Sequence, residues 1–314
     1  MQFDGVVFPG QGIQHLGMGK DFSELYPEAK DIFEIASNAV NFDLYDICLN
    51  NDTQLNSTEY TQPCILAVEM AMYEVIHKYY KFCPSFFAGH SLGEYAALVA
   101  AKVIPLDVAI KIVHFRGKLM QSKVSQDQEG SMAAIIMDPI PFEMINHTVA
   151  AFGVDIANDN SNQQVVISGY KNNVEAAVAQ LERTFSNQQQ PIRVVYLAVK
   201  SPFHSRYMQK IEPTFQEYLL QFKDQFNTDK LTSIISNYSG DFYPDMQINT
   251  LINGLTKQIS GSVKWRQNMH NLIQHANHIL EIGPGSPLRG FFKSIGVTIQ
   301  SIISVRTINK IFAV

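Results

Sequence analysis

The sequence lacks several features that mark whole classes of protein. Its 314 residues contain no apolar run of about 18 residues, the length that a membrane-spanning helix needs. The first residues show no basic region followed by an apolar core and a cleavage site, so no export signal is predicted. The formal net charge is −5 and basic clusters are absent, which argues against nucleic acid as a partner. We therefore expect a cytoplasmic globular protein that binds neither a membrane nor nucleic acid.

Cysteine is also scarce. The three cysteines, Cys48, Cys64 and Cys83, have a spacing that fits neither a disulfide framework nor a zinc site. We expect all three to be small core residues in a reducing compartment. The sequence thus predicts no metal site.

Short apolar runs alternate with amphipathic stretches along most of the chain. The runs at 6–8, 86–88, 233–235 and 278–282 are bounded by Gly, Pro, Ser or Asn and predict buried parallel strands. Segments 61–80 and 106–120 carry apolar residues three and four positions apart, which predicts helices. This alternation indicates an α/β protein with a doubly wound parallel sheet.

The middle of the chain has a different pattern. A polar run at 125–130 leads into a strand at 132–137, a helix near residue 141, a strand at 164–168, a helix at 172–185 and a strand at 192–197. This β-α-β-α-β order predicts a small inserted subdomain, ferredoxin-like, over residues 125–197. Residues 1–124 and 198–314 would then form the main core.

The segment Gly89-His90-Ser91-Leu92-Gly93 follows one predicted strand and precedes a predicted helix at 94–103. Strand, sharp turn and helix around a G-x-S-x-G sequence make up a nucleophile elbow, which indicates an α/β-hydrolase-like core. The turn would expose the Ser91 hydroxyl beside a helix N-terminus, where developing negative charge is favoured. Ser91 is therefore the candidate nucleophile, and the alternative is a plain glycine-rich turn.

A serine nucleophile needs a base, and His204 is the candidate because it lies in a turn-rich segment just after the predicted insert. An exposed loop histidine is the alternative. His90, inside the tight turn, is expected to pack or hydrogen-bond locally, whereas His15 and His114 are possible wall residues of a cleft. No acidic residue is an obvious third member, so a carbonyl group could orient the imidazole instead.

Seven ordered motifs make this chain resemble the malonyl-CoA:acyl carrier protein transacylase family. The resemblance covers about residues 6–305 and points to a freestanding acyltransferase of the fatty acid type or one serving a polyketide synthase in trans. The motifs are Phe8-Pro9-Gly10-Gln11-Gly12, Thr61-Gln62-Pro63, the elbow extended to Glu94-Tyr95, Arg116-Gly117-Lys118-x-Met120-Gln121, residues 161–169, Phe203-His204-Ser205 and Glu281-Ile282-Gly283-Pro284-Gly285.

The resemblance implies roles for the matching residues. Ser91 would carry the acyl group as an ester, and His204 would act as general base and then general acid. The backbone N–H groups of Gln11 and Leu92 would form the oxyanion hole. The main-chain carbonyl of Gln258, seven residues before Trp265, would hold the histidine ring.

Arg116 matches the family's arginine for the free carboxylate of malonate. Independently of the resemblance, a planar guanidinium binds a carboxylate through two parallel charge-assisted hydrogen bonds, which a lysine cannot reproduce. The alternative for Arg116 is a solvated charge on a helix.

Three further positions follow from the comparison with the family pattern. Gln62 and Asn160 match polar residues of the cleft, with a structural hydrogen-bonding role as the alternative for both. Phe203 stands where fatty-acid enzymes often have serine, and its ring would leave less room for a C2 methyl group. The loop at 158–163 keeps the family's polar character but lacks its usual Pro-Gly pair.

These expectations predict transfer of a malonyl group from malonyl-CoA to the phosphopantetheine thiol of an acyl carrier protein. The coenzyme A thioester is a substrate, so no cofactor is expected, and the protein is expected to be a monomer. One alternative is an acyl hydrolase that clears stalled acyl groups from carrier proteins. Another is a docking subunit without activity, which intact Ser91, His204, Gln11 and Arg116 argue against.

Overall fold

Two four-stranded β-sheets organise the part of the chain that the structure, a computed structural model, describes: residues 3–122, 129–189 and 192–312. The strands are β1 (Gly5–Phe8), β2 (Phe86–Gly89), β3 (Gly130–Ile136), β4 (Asp155–Ser161), β5 (Gln164–Tyr170), β6 (Arg193–Tyr196), β7 (Ile279–Ile282) and β8 (Gln300–Ile302).

Helices cover both sheets and connect their strands. The helices are α1 (Lys20–Leu25), α2 (Pro27–Val40), α3 (Leu44–Asn50), α4 (Asp52–Leu55), α5 (Thr58–Tyr80), α6 (Gly93–Ala100), α7 (Leu106–Ser122), α8 (Phe142–Ala150), α9 (Lys171–Asn187), α10 (Glu212–Leu220), α11 (Ile248–Gln258), α12 (Trp265–Leu272), α13 (Pro287–Ser294) and α14 (Val305–Ile311), with 3₁₀ turns at Arg206–Ile211, Lys223–Gln225 and Leu231–Ser233. None of the described helices combines the length and the apolar character that crossing a bilayer requires.

The first sheet is parallel and has the order β2-β1-β7-β8. Every residue of β1 and β7 is buried, as expected for parallel strands covered by helices on both faces. The carboxyl ends of parallel strands meet at one edge of a sheet, which is where α/β proteins bind ligands. The loops after β1, β2 and β7 therefore converge, and they carry Gln11, Ser91 and Gly283.

The predicted α/β class with a parallel sheet is confirmed, with one strand misassigned. Residues 233–235 were expected to form a strand, but they leave a 3₁₀ turn and make only single bridges, from Ile234 to Phe87 and from Ile235 to Phe242. Beyond Ile235 the chain turns, with the Ser236 N–H bonded to the Asp241 carbonyl, and Asn237 reaches the elbow, as described below. The edge strand β8 has no counterpart among the predicted strands. Helices α5 and α7 contain the predicted 61–80 and 106–120 segments.

The second sheet is antiparallel and has the order β4-β5-β3-β6. Along the chain its elements run β-α-β-β-α-β, whereas the sequence indicated only three strands there. The missing strand is β4, whose Asn158, Asp159 and Asn160 interrupt the apolar pattern and whose pairing with β5 shifts register at two places. Helices α8 and α9 pack on the sheet through residues such as Val149 and Leu181.

The inserted unit over residues 125–197 stays a prediction, because the N-terminal boundary of this unit lies outside the described residues. Most of its polar entry run, residues 125–128, is also outside them. The expectation for the cysteines is partly wrong: Cys48 and Cys64 are buried, but Cys83 is exposed.

Candidate active site

The turn between β2 and α6 presents Ser91 in a left-handed conformation, with φ at 51°. The flanking glycines are required by close packing. A Cβ atom on Gly89 would lie 1.9 Å from the carbonyl oxygen of Gly93, and one on Gly93 would lie 2.1 Å from that of Phe8. The elbow therefore sits directly against β1, and the predicted strand-turn-helix geometry is present rather than a plain glycine-rich turn.

His204 lies beside Ser91 although the two residues are 113 positions apart. Ser91 Oγ is 2.8 Å from Nε2 of the imidazole, and Nδ1 is 2.8 Å from the main-chain carbonyl oxygen of Gln258. A carbonyl only accepts, so Nδ1 carries the proton and Nε2 is free to accept from the serine hydroxyl. This arrangement is the one expected for a base oriented by a carbonyl group.

The protonation state of His204 suits a base. Burial and the nearby positive charge of Arg116 lower the pKa of His204 to about 3. The imidazole is therefore neutral near pH 7. The alternative of an exposed loop histidine is wrong, since only 4% of its surface is accessible.

Arg116 projects from α7 into the same site and is 1% exposed, so it is not a solvated helix charge. Nη1 donates to Gln62 Oε1 at 2.9 Å, and Nη2 donates to Gln258 Oε1 at 3.0 Å and to Ser91 Oγ at 3.3 Å. Its Nε has no partner among the described residues, and within them Arg116 forms no ion pair. A buried guanidinium held only by neutral groups is prepared for an anionic ligand.

The loop after β1 packs on the elbow. A Cβ atom on Gly10 would lie 2.5 Å from the carbonyl oxygen of His90, so glycine permits this approach. The side chain of the next residue, Gln11, donates to Thr58 Oγ1 at 3.2 Å. Among the described residues, the backbone N–H groups of Gln11 and Leu92 donate to no acceptor. Both therefore remain available to a ligand oxygen.

A cavity of about 520 Å³ opens beside Ser91 and collects most of the predicted site residues. Its walls include Gln11, Gln62, Ser91, Leu92, Arg116, Phe203 and His204. Asn160 is not among them, because its amide bonds His90 Nε2 at 2.8 Å and Gln164 at 2.7 Å, and Asn158 lines the cavity instead.

The other three candidate histidines, His90, His15 and His114, have structural contacts. His90 bonds Asn160 and packs edge-on against Trp265, which confirms the expected local packing. His15 and His114 do not line the cavity, so their assignment as wall residues is wrong. The ring of His15 contacts the carbonyl of Pro284, and that of His114 contacts Glu59. Within the described residues, no cluster of His, Cys, Asp or Glu side chains could hold a metal ion.

Sequence reasoning missed two buried residues beneath the elbow, Asn237 and Glu94. Asn237 Oδ1 accepts from the Ser91 N–H at 2.6 Å, and its Nδ2 donates to the Gly89 carbonyl at 2.7 Å. Glu94 accepts from the Asn237 N–H at 3.0 Å. Glu94 follows the elbow directly and could have been suspected as a charge in a buried helix, whereas no local pattern distinguishes Asn237.

Comparison with known proteins gives a consistent result. Residues 6–286 match the family model described as the acyl transferase domain. A malonyl CoA-acyl carrier protein transacylase of Bacillus subtilis is 37% identical over 92% of this chain and 70% of its own length. A polyketide biosynthesis malonyl CoA-acyl carrier protein transacylase, PksC, of Bacillus subtilis strain 168 is 34% identical over 92% of this chain and 96% of its own.

Solved structures resemble the whole fold as well. One shows a type II polyketide synthase acyl-carrier protein in complex with its malonyl-transacylase. It matches with a TM-score of 0.89 and 31% identity, over 100% of this chain and 99% of the matched chain.

Proposed function

We propose that this chain, which belongs to the malonyl-CoA:acyl carrier protein transacylase family, transfers a malonyl group from malonyl-CoA to the phosphopantetheine thiol of an acyl carrier protein. The observation that carries the proposal is the buried guanidinium of Arg116. It lies within 3.3 Å of the Ser91 hydroxyl oxygen and has no carboxylate partner among the described residues.

The first half-reaction acylates Ser91. As Oγ attacks the thioester carbonyl, Nε2 of His204 takes the hydroxyl proton, while Nδ1 keeps its hydrogen bond to the Gln258 carbonyl. The N–H groups of Gln11 and Leu92 stabilise the oxyanion of the tetrahedral intermediate. Collapse breaks the carbon–sulfur bond, and the coenzyme A thiolate takes the proton from His204.

The second half-reaction reverses these roles. The carrier's thiol gives its proton to His204 and attacks the malonyl ester, and the intermediate is again stabilised at the oxyanion hole. Its collapse breaks the ester bond, and His204 returns the proton to Ser91 Oγ. The malonyl group thus leaves as a new thioester in a ping-pong sequence.

Selection of the acyl group is assigned to two residues. Arg116 pairs with the malonyl carboxylate, and Gln62 holds the guanidinium in place through its 2.9 Å hydrogen bond. Phe203, 8% exposed at the cavity wall, crowds a C2 methyl group. Removal of short neutral acyl groups by hydrolysis would gain nothing from a buried guanidinium, which argues against the hydrolase alternative.

We also propose a cellular location, an oligomeric state and two partners for the protein. The protein acts in the cytoplasm, as a monomer and without a cofactor, with malonyl-CoA and a carrier protein as its two partners. The expectation of a carrier partner is supported by the relative solved in complex with one.

One experiment tests the function. The enzyme is incubated with malonyl-CoA, with and without a bacterial acyl carrier protein bearing phosphopantetheine, and intact masses are measured. We expect one malonyl adduct on the wild type, none on Ser91→Ala, and transfer of the adduct to the carrier with little free malonate. Hydrolysis of an acetylated carrier without use of malonyl-CoA would support the hydrolase instead, and equal labelling of Ser91→Ala would refute the nucleophile.

A further inference from the structure

Glu94 is a fully buried carboxylate three residues after Ser91, in the first turn of α6. It forms no ion pair with any described Lys, Arg or His. Its Oε1 accepts from the Tyr243 hydroxyl at 2.7 Å, and its Oε2 accepts from Gln258 Nε2 at 2.7 Å and from the Asn237 N–H at 3.0 Å. Burial raises the pKa of Glu94, whereas the three donors and the nearby charge of Arg116 oppose that rise. Three converging donors suit an ionised carboxylate, which only accepts.

The contact with Gln258 sets the orientation of that amide. Nε2 has two hydrogens, and both are used, one toward Glu94 and one toward the main-chain carbonyl of Ser91 at 3.0 Å. The Oε1 atom must therefore face the other way, where it accepts from Arg116 Nη2 at 3.0 Å. A reversed amide would place N–H groups against the guanidinium and leave Glu94 without this donor.

Gln258 also reaches the base through its main chain, since its carbonyl accepts from His204 Nδ1 at 2.8 Å. One residue therefore touches the carboxylate, the guanidinium, the imidazole and the nucleophile's own carbonyl. Among the described residues, no acid contacts Ser91 or His204 directly, but Glu94 contacts Gln258, which contacts both of them.

We propose that Glu94 is a positioning residue that acts through Gln258, aligning the guanidinium of Arg116 and the ring of His204 and supplying the negative charge that this pair of cations needs during acyl transfer. The inference rests on the proposed function. When Ser91 is acylated, His204 becomes an imidazolium close to Arg116, and two buried positive charges repel each other. Glu94 offsets that repulsion.

If Glu94 acts through its charge, its replacement should affect malonylation and acetylation of Ser91 to different extents. A purely structural role would affect both equally. A malonyl substrate brings its own carboxylate to Arg116, whereas an acetyl substrate brings none. Loss of the Glu94 charge should therefore slow acetylation of Ser91 more than malonylation.

The test is Glu94→Gln in the full chain. The amide oxygen keeps the hydrogen bonds from Asn237 and Gln258, and its nitrogen faces the Tyr243 oxygen, so shape is retained and charge is lost. The matched control is Glu281→Gln, because Glu281 is another buried carboxylate with three donors, from Leu288, Arg289 and Ser301, and it lies outside the cavity wall. Acylation by malonyl-CoA and by acetyl-CoA is followed by intact mass, and folding by circular dichroism and Tm.

For Glu94→Gln we expect kcat for malonylation to fall about 10-fold, the scale found for outer partners that orient metal ligands, with a larger loss for acetylation. We expect Glu281→Gln to change neither rate more than about 2-fold, as for a site without contact to the reacting groups. Equal rates in the two variants, or equal losses for both substrates, would overturn the proposal. A wild type that is not malonylated would instead refute the proposed function.

A second variant keeps the test decisive if Glu94→Gln does not fold. Gln258→Met removes the amide but keeps the main-chain carbonyl that holds His204. Because Gln258 carries the contact from Glu94, this variant alone should lower the rate of malonylation about 10-fold. If Glu94→Gln folds, combining the two substitutions should cause no further loss, because they break one chain of contacts. An unchanged rate in Gln258→Met would show that only the main chain of Gln258 matters and would overturn the proposal.

Discussion

Nη2 of Arg116 lies 3.3 Å from Oγ of Ser91, although the residues are 25 positions apart. Arg116 lies in α7, and Ser91 lies in the turn before α6. This contact places a fixed positive charge next to the atom that would carry the acyl group. The guanidinium is held by Gln62 and Gln258, so its position does not depend on substrate. Positioning of this kind lowers the entropic cost of binding a charged acyl group in the reactive geometry.

Replacing Arg116 with alanine should reverse the selectivity of the enzyme. Loss of a desolvated charge pair costs about 2–5 kcal/mol, so kcat/KM for malonyl-CoA should fall by roughly 30-fold to several thousand-fold. Acetyl-CoA makes no such pair and should be affected far less. Steady-state kinetics with both thioesters checks this, with the exposed Arg183→Ala as control. A uniform loss for both substrates would contradict the assigned role.

His204→Ala should slow acylation of Ser91 by about 10²–10⁴-fold, the usual contribution of a general base. The ring accepts the serine proton at 2.8 Å and is neutral at the working pH, so its loss removes the acceptor. Rapid-quench mass spectrometry measures the rate, and circular dichroism checks the fold. A near-normal rate would move the base elsewhere, with His90 as the first residue to examine.

Phe203→Ser should relax discrimination against methylmalonyl-CoA. The ring borders the cavity beside His204, and removing it creates space for one methyl group. A single methyl in an apolar pocket is worth about 1–3 kcal/mol, so the malonyl-to-methylmalonyl ratio of kcat/KM should drop about 10-fold or more. If the ratio is unchanged, Phe203 is a packing residue only.

Glu69→Met should stabilise the protein, and more at pH 8 than at pH 5. Burial, with a smaller contribution from Glu281, raises the pKa of Glu69 well above its usual value, and neither carboxyl oxygen has a described partner. The native state therefore keeps a proton that the unfolded chain releases above about pH 4.3, so wild-type stability falls as pH rises.

Removing this unpartnered group should raise the free energy of unfolding by about 1–3 kcal/mol at pH 8. Urea denaturation at both pH values measures the effect, and the exposed Glu217→Met serves as control. A stabilisation that does not grow with pH would mean that Glu69 is not the group responsible.

Gly93→Ala should destabilise the fold and the elbow together. The new Cβ atom would lie 2.1 Å from the Phe8 carbonyl oxygen, on backbone that cannot move without displacing β1. Overpacking of this kind costs about 1–3 kcal/mol. Gly290→Ala, where a Cβ atom meets no atom of the described residues within 4 Å, is the matched control. Equal Tm values for the two variants would contradict the close approach of the elbow to β1.

Much of the fold was accessible from local patterns. Continuous apolar runs predicted β1, β2 and β7, and the spacing of apolar residues predicted α5 and α7. Strand β4 was missed because its polar residues face the site and other side chains rather than the core, with Asn160 bonded to His90 and Gln164. A strand that serves a site does not show the apolar alternation that predicts strands elsewhere.

The sequence by itself determined the first half of the elbow, since Gly89 is required by the Gly93 carbonyl four residues later, whereas Gly93 is required by the carbonyl of Phe8 in β1. It also identified His204 and Arg116 as candidates. Only the tertiary structure decided that these groups meet. Ser91 lies 113 positions from His204, 146 from Asn237 and 167 from Gln258, and nothing local relates them. Strand order and helix packing bring them together, because contacts between distant residues depend on which loops share one edge of the sheet.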